Sequence, residues 1–144
     1  MNRLRLTDDE GNAMVEFVYL AVLLMVPLVY VLILVFQVQQ AAFGTTEAAR
    51  QAGRSYARAD SVQQAEQRSR AAAALALRDQ GIRSGADTHI TCIGGCLVPG
   101  SRVTVTVTYF VKLPLLGSIF GDRQRGTIKV QATHTEYVDR FRST

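Results

Sequence analysis

Residues 17–36 read FVYLAVLLMVPLVYVLILVF, an apolar run of 20 residues that contains no charged side chain. As an α-helix with a rise of about 1.5 Å per residue, the run is about 30 Å long, which matches the hydrocarbon core of a bilayer. A secretory signal peptide would carry a shorter apolar region, of about 7–15 residues, followed by small residues, whereas glutamines occupy positions 37, 39 and 40 here. The run therefore predicts a transmembrane helix.

A single carboxylate, that of Glu16, immediately precedes the apolar run. Gly11 lies five positions before Glu16. An ionised side chain in a bilayer costs about 2.5–3.5 kcal/mol at the helix centre and less toward the edge, so we expect Glu16 to have a partner. One interpretation is an interaction with the N-terminal dipole of the helix, worth about 0.3–1 kcal/mol. That interaction alone does not explain why the glycine spacing, the charged leader and the apolar run occur together.

The pattern of a glycine, four residues and then Glu-Phe before an apolar helix resembles the processing site of type IV prepilins and pseudopilins. The resemblance implies that a prepilin peptidase cuts between Gly11 and Asn12, so that Asn12 becomes the new N-terminus. Glu16 and Phe17 then form the assembly and processing motif at the start of the mature helix. The resemblance also implies that the new α-amino group, cationic at neutral pH, pairs with Glu16 of a neighbouring subunit.

The charge distribution gives the expected orientation and argues against a nucleic-acid partner. The formal charge is +4, and loss of residues 1–11, which hold two arginines and three acidic residues, leaves +5. No dense basic tract with interleaved aromatic residues occurs, so we expect no nucleic-acid binding. Arg3 and Arg5 lie before the apolar run, whereas the first basic residue after it is Arg50, which favours an N-terminus inside.

Two helices are predicted before residue 82. Residues 37–58 contain no proline and are rich in Ala and Gln, so the first helix continues beyond the membrane, although Gly44 and Gly53 weaken it by about 1 kcal/mol each. A capping box, Asp60 with Gln63 or Ser61 with Gln64, begins a second helix that runs through Gln80 and is closed by Gly81. Its small-residue face comprises Val62, Ala65, Ser69, Ala72, Ala73 and Ala76, with Leu75 and Leu77 at the edge.

Three strands are predicted from there onward, because apolar and polar residues alternate with a period of two. The long strands cover residues 103–111 and 128 to about 138, and a shorter one covers 88–93, joined to the next by a turn at Pro99-Gly100. The predicted fold is α+β: a long N-terminal transmembrane helix continuing outside, a second helix and a small three-stranded antiparallel sheet. The corresponding domains are a leader at 1–11, the helix and its extension at 12–58, and an extracytoplasmic domain at 59–144.

Motifs later in the sequence make the resemblance to one pseudopilin family more specific. The leader is followed, in order, by TTEAAR at 45–50, PGSRVTVTV at 99–107 and PLLG at 114–117. Over nearly its whole length the chain resembles TadE-type minor pseudopilins of the tight-adherence pilus and secretion system. The resemblance implies a single-pass protein of the bacterial cytoplasmic membrane that acts in pilus assembly or initiation. It implies a prepilin peptidase, companion pseudopilins, the major pilin and membrane lipid as partners, and no cofactor.

The two cysteines are predicted to form a disulfide. Cys92 and Cys96 flank Ile93 and two glycines, which permit a tight turn, and both are expected on the outer side of the membrane, where disulfides persist. Closing so short a loop is worth about 2 kcal/mol. The alternative is a metal site built from His89, Cys92, Cys96 and His134; zinc sites usually show shorter paired-cysteine spacing or two such pairs, so no metal is expected.

The segment between the two long strands is too apolar for a solvated connection. We interpret it as a possible docking patch, formed by Leu113, Leu115, Leu116, Ile119 and Phe120. One hypothesis is that it folds over the open face of the sheet as part of the core. The other, which we favour, is that it docks on a partner subunit or enters the outer lipid face.

The sequence does not indicate an enzyme. It contains no Gly-x-Ser-x-Gly elbow, no His-Glu-x-x-His pair and no phosphate-binding glycine loop. The alternative to a pseudopilin is a single-pass, membrane-anchored extracytoplasmic binding module unrelated to pili, in which the helix serves only as a tether. Replacing the helix with an unrelated one distinguishes the two, because a tether tolerates that exchange.

Overall fold

The computed structural model describes residues 9–113 and 126–141, with side chains from residue 13 onward. Helix α1 spans Asp9–Ala57 and α2 spans Val62–Asp79, followed by strands β1 (Ala86–Ile93), β2 (Arg102–Lys112) and β3 (Thr127–Tyr137). The predicted α+β fold of two helices and a three-stranded antiparallel sheet is confirmed. The chain divides into two compact units, Met1–Phe36 and Gln37–Thr144.

The described part of the first unit, residues 9–36, is the N-terminal part of α1 and includes its apolar run. Among the described residues, α1 is the one helix long and apolar enough to cross a membrane, and none of its most apolar stretch is buried within the protein. Pro27 lies inside the helix and removes one backbone hydrogen bond, a loss that membrane helices tolerate. A helix whose apolar side chains face outward all round needs lipid or other helices around it.

The second unit begins with the latter part of α1, whose inward face is made of small residues. Ala48 and Ala52 are fully buried, and the hydroxyl of buried Thr45 donates to the Ala41 carbonyl oxygen over 2.9 Å. Tyr56 is the largest fully buried side chain. These residues share one hydrophobic core with α2 and with one face of the sheet. The small side chains allow the helix backbone to approach its neighbours closely.

Helix α2 begins at the second of the two predicted caps, Ser61, and ends at Asp79, one residue before the predicted end at Gln80. Ser61 is the N-cap, and its hydroxyl accepts from the Gln64 amide at 3.3 Å while the Gln64 side chain accepts from the Asp60 amide at 3.1 Å. At the other end Gly81 has φ +77°, a conformation that glycine adopts without strain. The Ile82 amide donates to the Leu77 carbonyl oxygen at 2.9 Å, which is the C-terminal bond of a Schellman motif.

The inner face of α2 differs from the predicted one at its margins. Leu75, expected at the edge of the small-residue face, is 62% exposed, and Val62 is exposed as well. Ala65, Ser69 and Leu77 are buried as part of the inner face. Periodicity predicted the centre of the buried face of α2 correctly. Which flanking residues are buried depends on the elements that pack beside the helix.

The sheet is a meander with β2 in the centre, and both neighbours run antiparallel to it. Val103, Val105 and Val107 on β2 are fully buried and belong to the hydrophobic core that the sheet shares with the helices. The opposite face is polar, and cross-strand hydroxyl pairs join Thr104 to Thr135 at 3.0 Å and Thr106 to Thr133 at 3.1 Å. The predicted turn at Pro99-Gly100 is present, closed by the Ser101 amide donating to the Val98 carbonyl oxygen at 2.9 Å.

Candidate functional site

The predicted cleavage position lies within α1. The helix is described from Asp9 onward, so Gly11 and Asn12 on both sides of the peptide bond are helical. A peptidase that needs an extended substrate would have to unwind the helix at this point.

Glu16 and Phe17 are both exposed, with Phe17 72% accessible. Within the described part of the chain Glu16 forms no ion pair. The partner that we expect from the sequence is therefore not among the described residues.

The disulfide loop begins within the end of β1, at Cys92, and closes at Cys96 after the strand. Cys92 and Cys96 are bonded to each other, with their Cα atoms 5.3 Å apart. Gly95 has φ +99°, and a Cβ atom at that position would lie 2.7 Å from Cγ2 of Val98, so only glycine fits. The Tyr56 hydroxyl lies 3.6 Å from Cys92 Sγ. The loop is thereby held against α1.

The four residues of the alternative metal site do not come together. The two sulfurs are bonded to each other. His89 lies opposite Thr106 on the polar face of the sheet, whereas His134 lies opposite Val105 on the buried face, where its Nε2 is 3.0 Å from Oε2 of Glu136. Residues directly opposite across a sheet share a face, so the two imidazoles lie on opposite sides. Among the described residues no group of three potential metal ligands was found.

Only the first residue of the predicted docking patch is described. Leu113 is half-buried, and its amide donates to the Gly126 carbonyl oxygen at 2.7 Å. This bond holds together the two ends of the segment that joins β2 to β3. Leu115, Leu116, Ile119 and Phe120 lie outside the described residues, so the choice between core and docking patch stays a prediction.

A cleft that the sequence did not predict lies where α1, the end of α2 and the end of β2 meet. Gln37, Gln40, Tyr109 and Lys112 contribute to its lining, and the Gln40 amide nitrogen donates to the Gln80 carbonyl oxygen at 2.8 Å. These residues come from three separate parts of the chain, so no local spacing signal joins them.

Comparisons with protein-family models, with curated proteins and with solved structures found no match to this chain. The sequence motifs and the geometry of the described residues are therefore the basis for assigning a function.

Proposed function

We propose that this chain is a minor pseudopilin of a tight-adherence pilus or secretion system. In this proposal a prepilin peptidase cleaves it after Gly11, and it then acts in pilus assembly or initiation at the bacterial cytoplasmic membrane. The observation that carries the proposal is the placement of Gly11 and Glu16 five residues apart at the start of α1. The same helix contains the apolar run and then contributes to the core of the second unit.

The exposed carboxylate supports this proposal by its chemistry. A carboxylate that enters a packed helix bundle without a partner loses its hydration and is strongly destabilising. Cleavage after Gly11 creates a cation at Asn12, four residues before Glu16. A pair between that amino group and the Glu16 carboxylate of a neighbour offsets the loss of hydration and favours one register between subunits. The peptidase, companion pseudopilins, the major pilin and lipid are the proposed partners.

The second candidate is a membrane-anchored binding module with no role in pili. It is favoured by the division of the chain into two units, since Gln37–Thr144 contains a core of its own. Under this alternative α1 serves only to hold the second unit at the membrane. Exchanging residues 17–36 for an unrelated membrane helix would leave such a module active, whereas a pseudopilin would lose assembly.

N-terminal sequencing of protein extracted from membranes tests the cleavage. We expect the mature chain to begin at Asn12 when a prepilin peptidase is present. Gly11→Val should block processing, because the enzyme must approach the backbone closely where only a small residue fits. Ala13→Val is the matched control, with the added bulk placed beyond the cleaved bond, and should be processed. A mature protein that begins at Met1 or after Ala42 would contradict the proposal.

A further inference from the structure

Three arginines line one open pocket between α1 and α2. Arg54 comes from the last turn of α1, Arg58 directly follows the end of that helix, and Arg68 comes from α2; Gln51, Ser55 and Ala72 complete the lining. All three arginine side chains are exposed. The pocket belongs wholly to the unit Gln37–Thr144.

The local fold explains why these charges meet. Arg58 is the first residue after α1, so it stays near Arg54 in the last turn of that helix, and both line the pocket. The connection between the helices is short, because α1 ends at Ala57 and α2 begins at Val62. Small buried residues such as Ala52 and Ala65 let the helices share one core, so Arg68, in the second turn of α2, comes beside the last turns of α1.

The positive charge of the pocket has no counterion within the described chain. None of the three arginines forms an ion pair with a described residue. Guanidinium groups are planar, carry five donors and match carboxylates in a bidentate geometry. Three such groups around one opening repel one another, so an anion that enters the pocket both gains hydrogen bonds and relieves that repulsion.

We propose that this pocket, the arginine pocket of Arg54, Arg58 and Arg68, binds an acidic segment of a partner protein through several carboxylates at once. Ion pairs at exposed positions are individually weak, so one small anion is held poorly. A segment that carries two or three carboxylates engages all the arginines together, and its second and third contacts form at high effective concentration.

The pocket belongs to the second unit alone, so the inference does not depend on the proposed pilus function.

Peptide binding to the full chain in non-ionic detergent micelles tests the inference, with fluorescein-labelled hexaglutamate as the probe and hexaglutamine as the neutral control. The triple variant R54Q/R58Q/R68Q removes the pocket charges. The matched control R70Q/R78Q/R83Q removes the same charge from exposed arginines outside the pocket. We expect the Kd for hexaglutamate to rise about tenfold or more in the pocket variant and less than about twofold in the control, since only the former loses bidentate contacts.

Four further results distinguish the proposed peptide site from its alternatives. Equal weakening in the two triple variants would mean that net charge alone attracts the peptide, and no measurable binding to the unmodified chain would also overturn the inference. Inorganic phosphate that competes as strongly as hexaglutamate would indicate a small-anion site. Arginine-dependent binding to phosphatidylglycerol vesicles without peptide binding would indicate lipid. Circular dichroism of both variants, and the single variant R58Q, controls for misfolding.

Discussion

At the scale of single residues, Glu16 carries most of the functional hypothesis, and Glu16→Gln tests it because the change removes the charge and keeps the size. Processing should persist, since the glycine is untouched, while assembled pili should fall sharply because the proposed ion pair is lost. Immunoblots of membranes measure processing, and sheared surface fractions measure assembly. Glu66→Gln, at an exposed position on α2, is the control. Normal pilus formation in the Glu16 variant would leave that carboxylate with only its interaction with the helix dipole.

A second prediction at this scale concerns Cys92 and Cys96. Protein isolated without reductant should contain the disulfide, and Cys92→Ser with Cys96→Ser should lower the free energy of unfolding by about 2 kcal/mol on the chain-entropy estimate. Intact mass measured with and without alkylation counts the free thiols. Two alkylated cysteines, or stoichiometric zinc, would show that the pair is not oxidised in the native protein.

At the scale of elements, the close contact between α1 and β3 depends on Gly53, which has no side chain. A Cβ atom at Gly53 would lie 3.2 Å from Cδ2 of His134 and 3.5 Å from Cβ of Glu136. The imidazole cannot withdraw freely, because its Nε2 is 3.0 Å from the Glu136 carboxylate. Gly53 therefore permits the approach of helix to sheet, at the expense of helix propensity.

The variant Gly53→Leu tests this interpretation, because two opposing effects on stability predict opposite signs for the change. Helix propensity alone would make the variant more stable by about 1 kcal/mol, whereas overpacking at a close contact destabilises by about 1–3 kcal/mol. We expect the second effect to dominate and the melting temperature of the full chain in detergent to fall. Gln51→Leu, at an exposed position on the same helix, serves as the control and should change little. A more stable Gly53 variant would mean that the helix and strand can separate without loss.

At the scale of the whole molecule, the described core lies in one unit. Its buried members extend from Ala41 on α1 to Val138 after β3, and none comes from the first 36 residues. We therefore expect residues 37–144, expressed without the apolar segment, to fold without detergent and to melt cooperatively. Circular dichroism and calorimetry measure the transition, with the full chain in micelles for comparison. A fragment that shows no cooperative transition would mean that the membrane segment is needed for folding.

Local chemistry in the sequence was sufficient to predict the strands and the second helix, although the observed boundaries differ from the predicted ones by one or two residues. The Ser61 cap and Gly81 set the limits of α2 because each acts on backbone groups within a few residues of itself. The alternation around Val105 identified strand β2 and its buried face for the same reason, since side chains alternate across any strand; its central position in the sheet came only from the structure. The apolar run at 17–36 and the Gly11–Glu16 spacing are likewise readable without a fold.

Only the tertiary structure decided which distant residues meet. The sequence assigned Gly53 a cost in helix propensity, and the fold shows that this glycine makes room for His134. The proximity of Tyr56 to Cys92 and the convergence of Arg54 with Arg68 had no signal in spacing. Hydrogen-bonding and capping preferences act over a few residues, whereas packing joins side chains that lie far apart along the chain. For that reason the elements followed from the sequence, while their contacts and the arginine pocket required the fold.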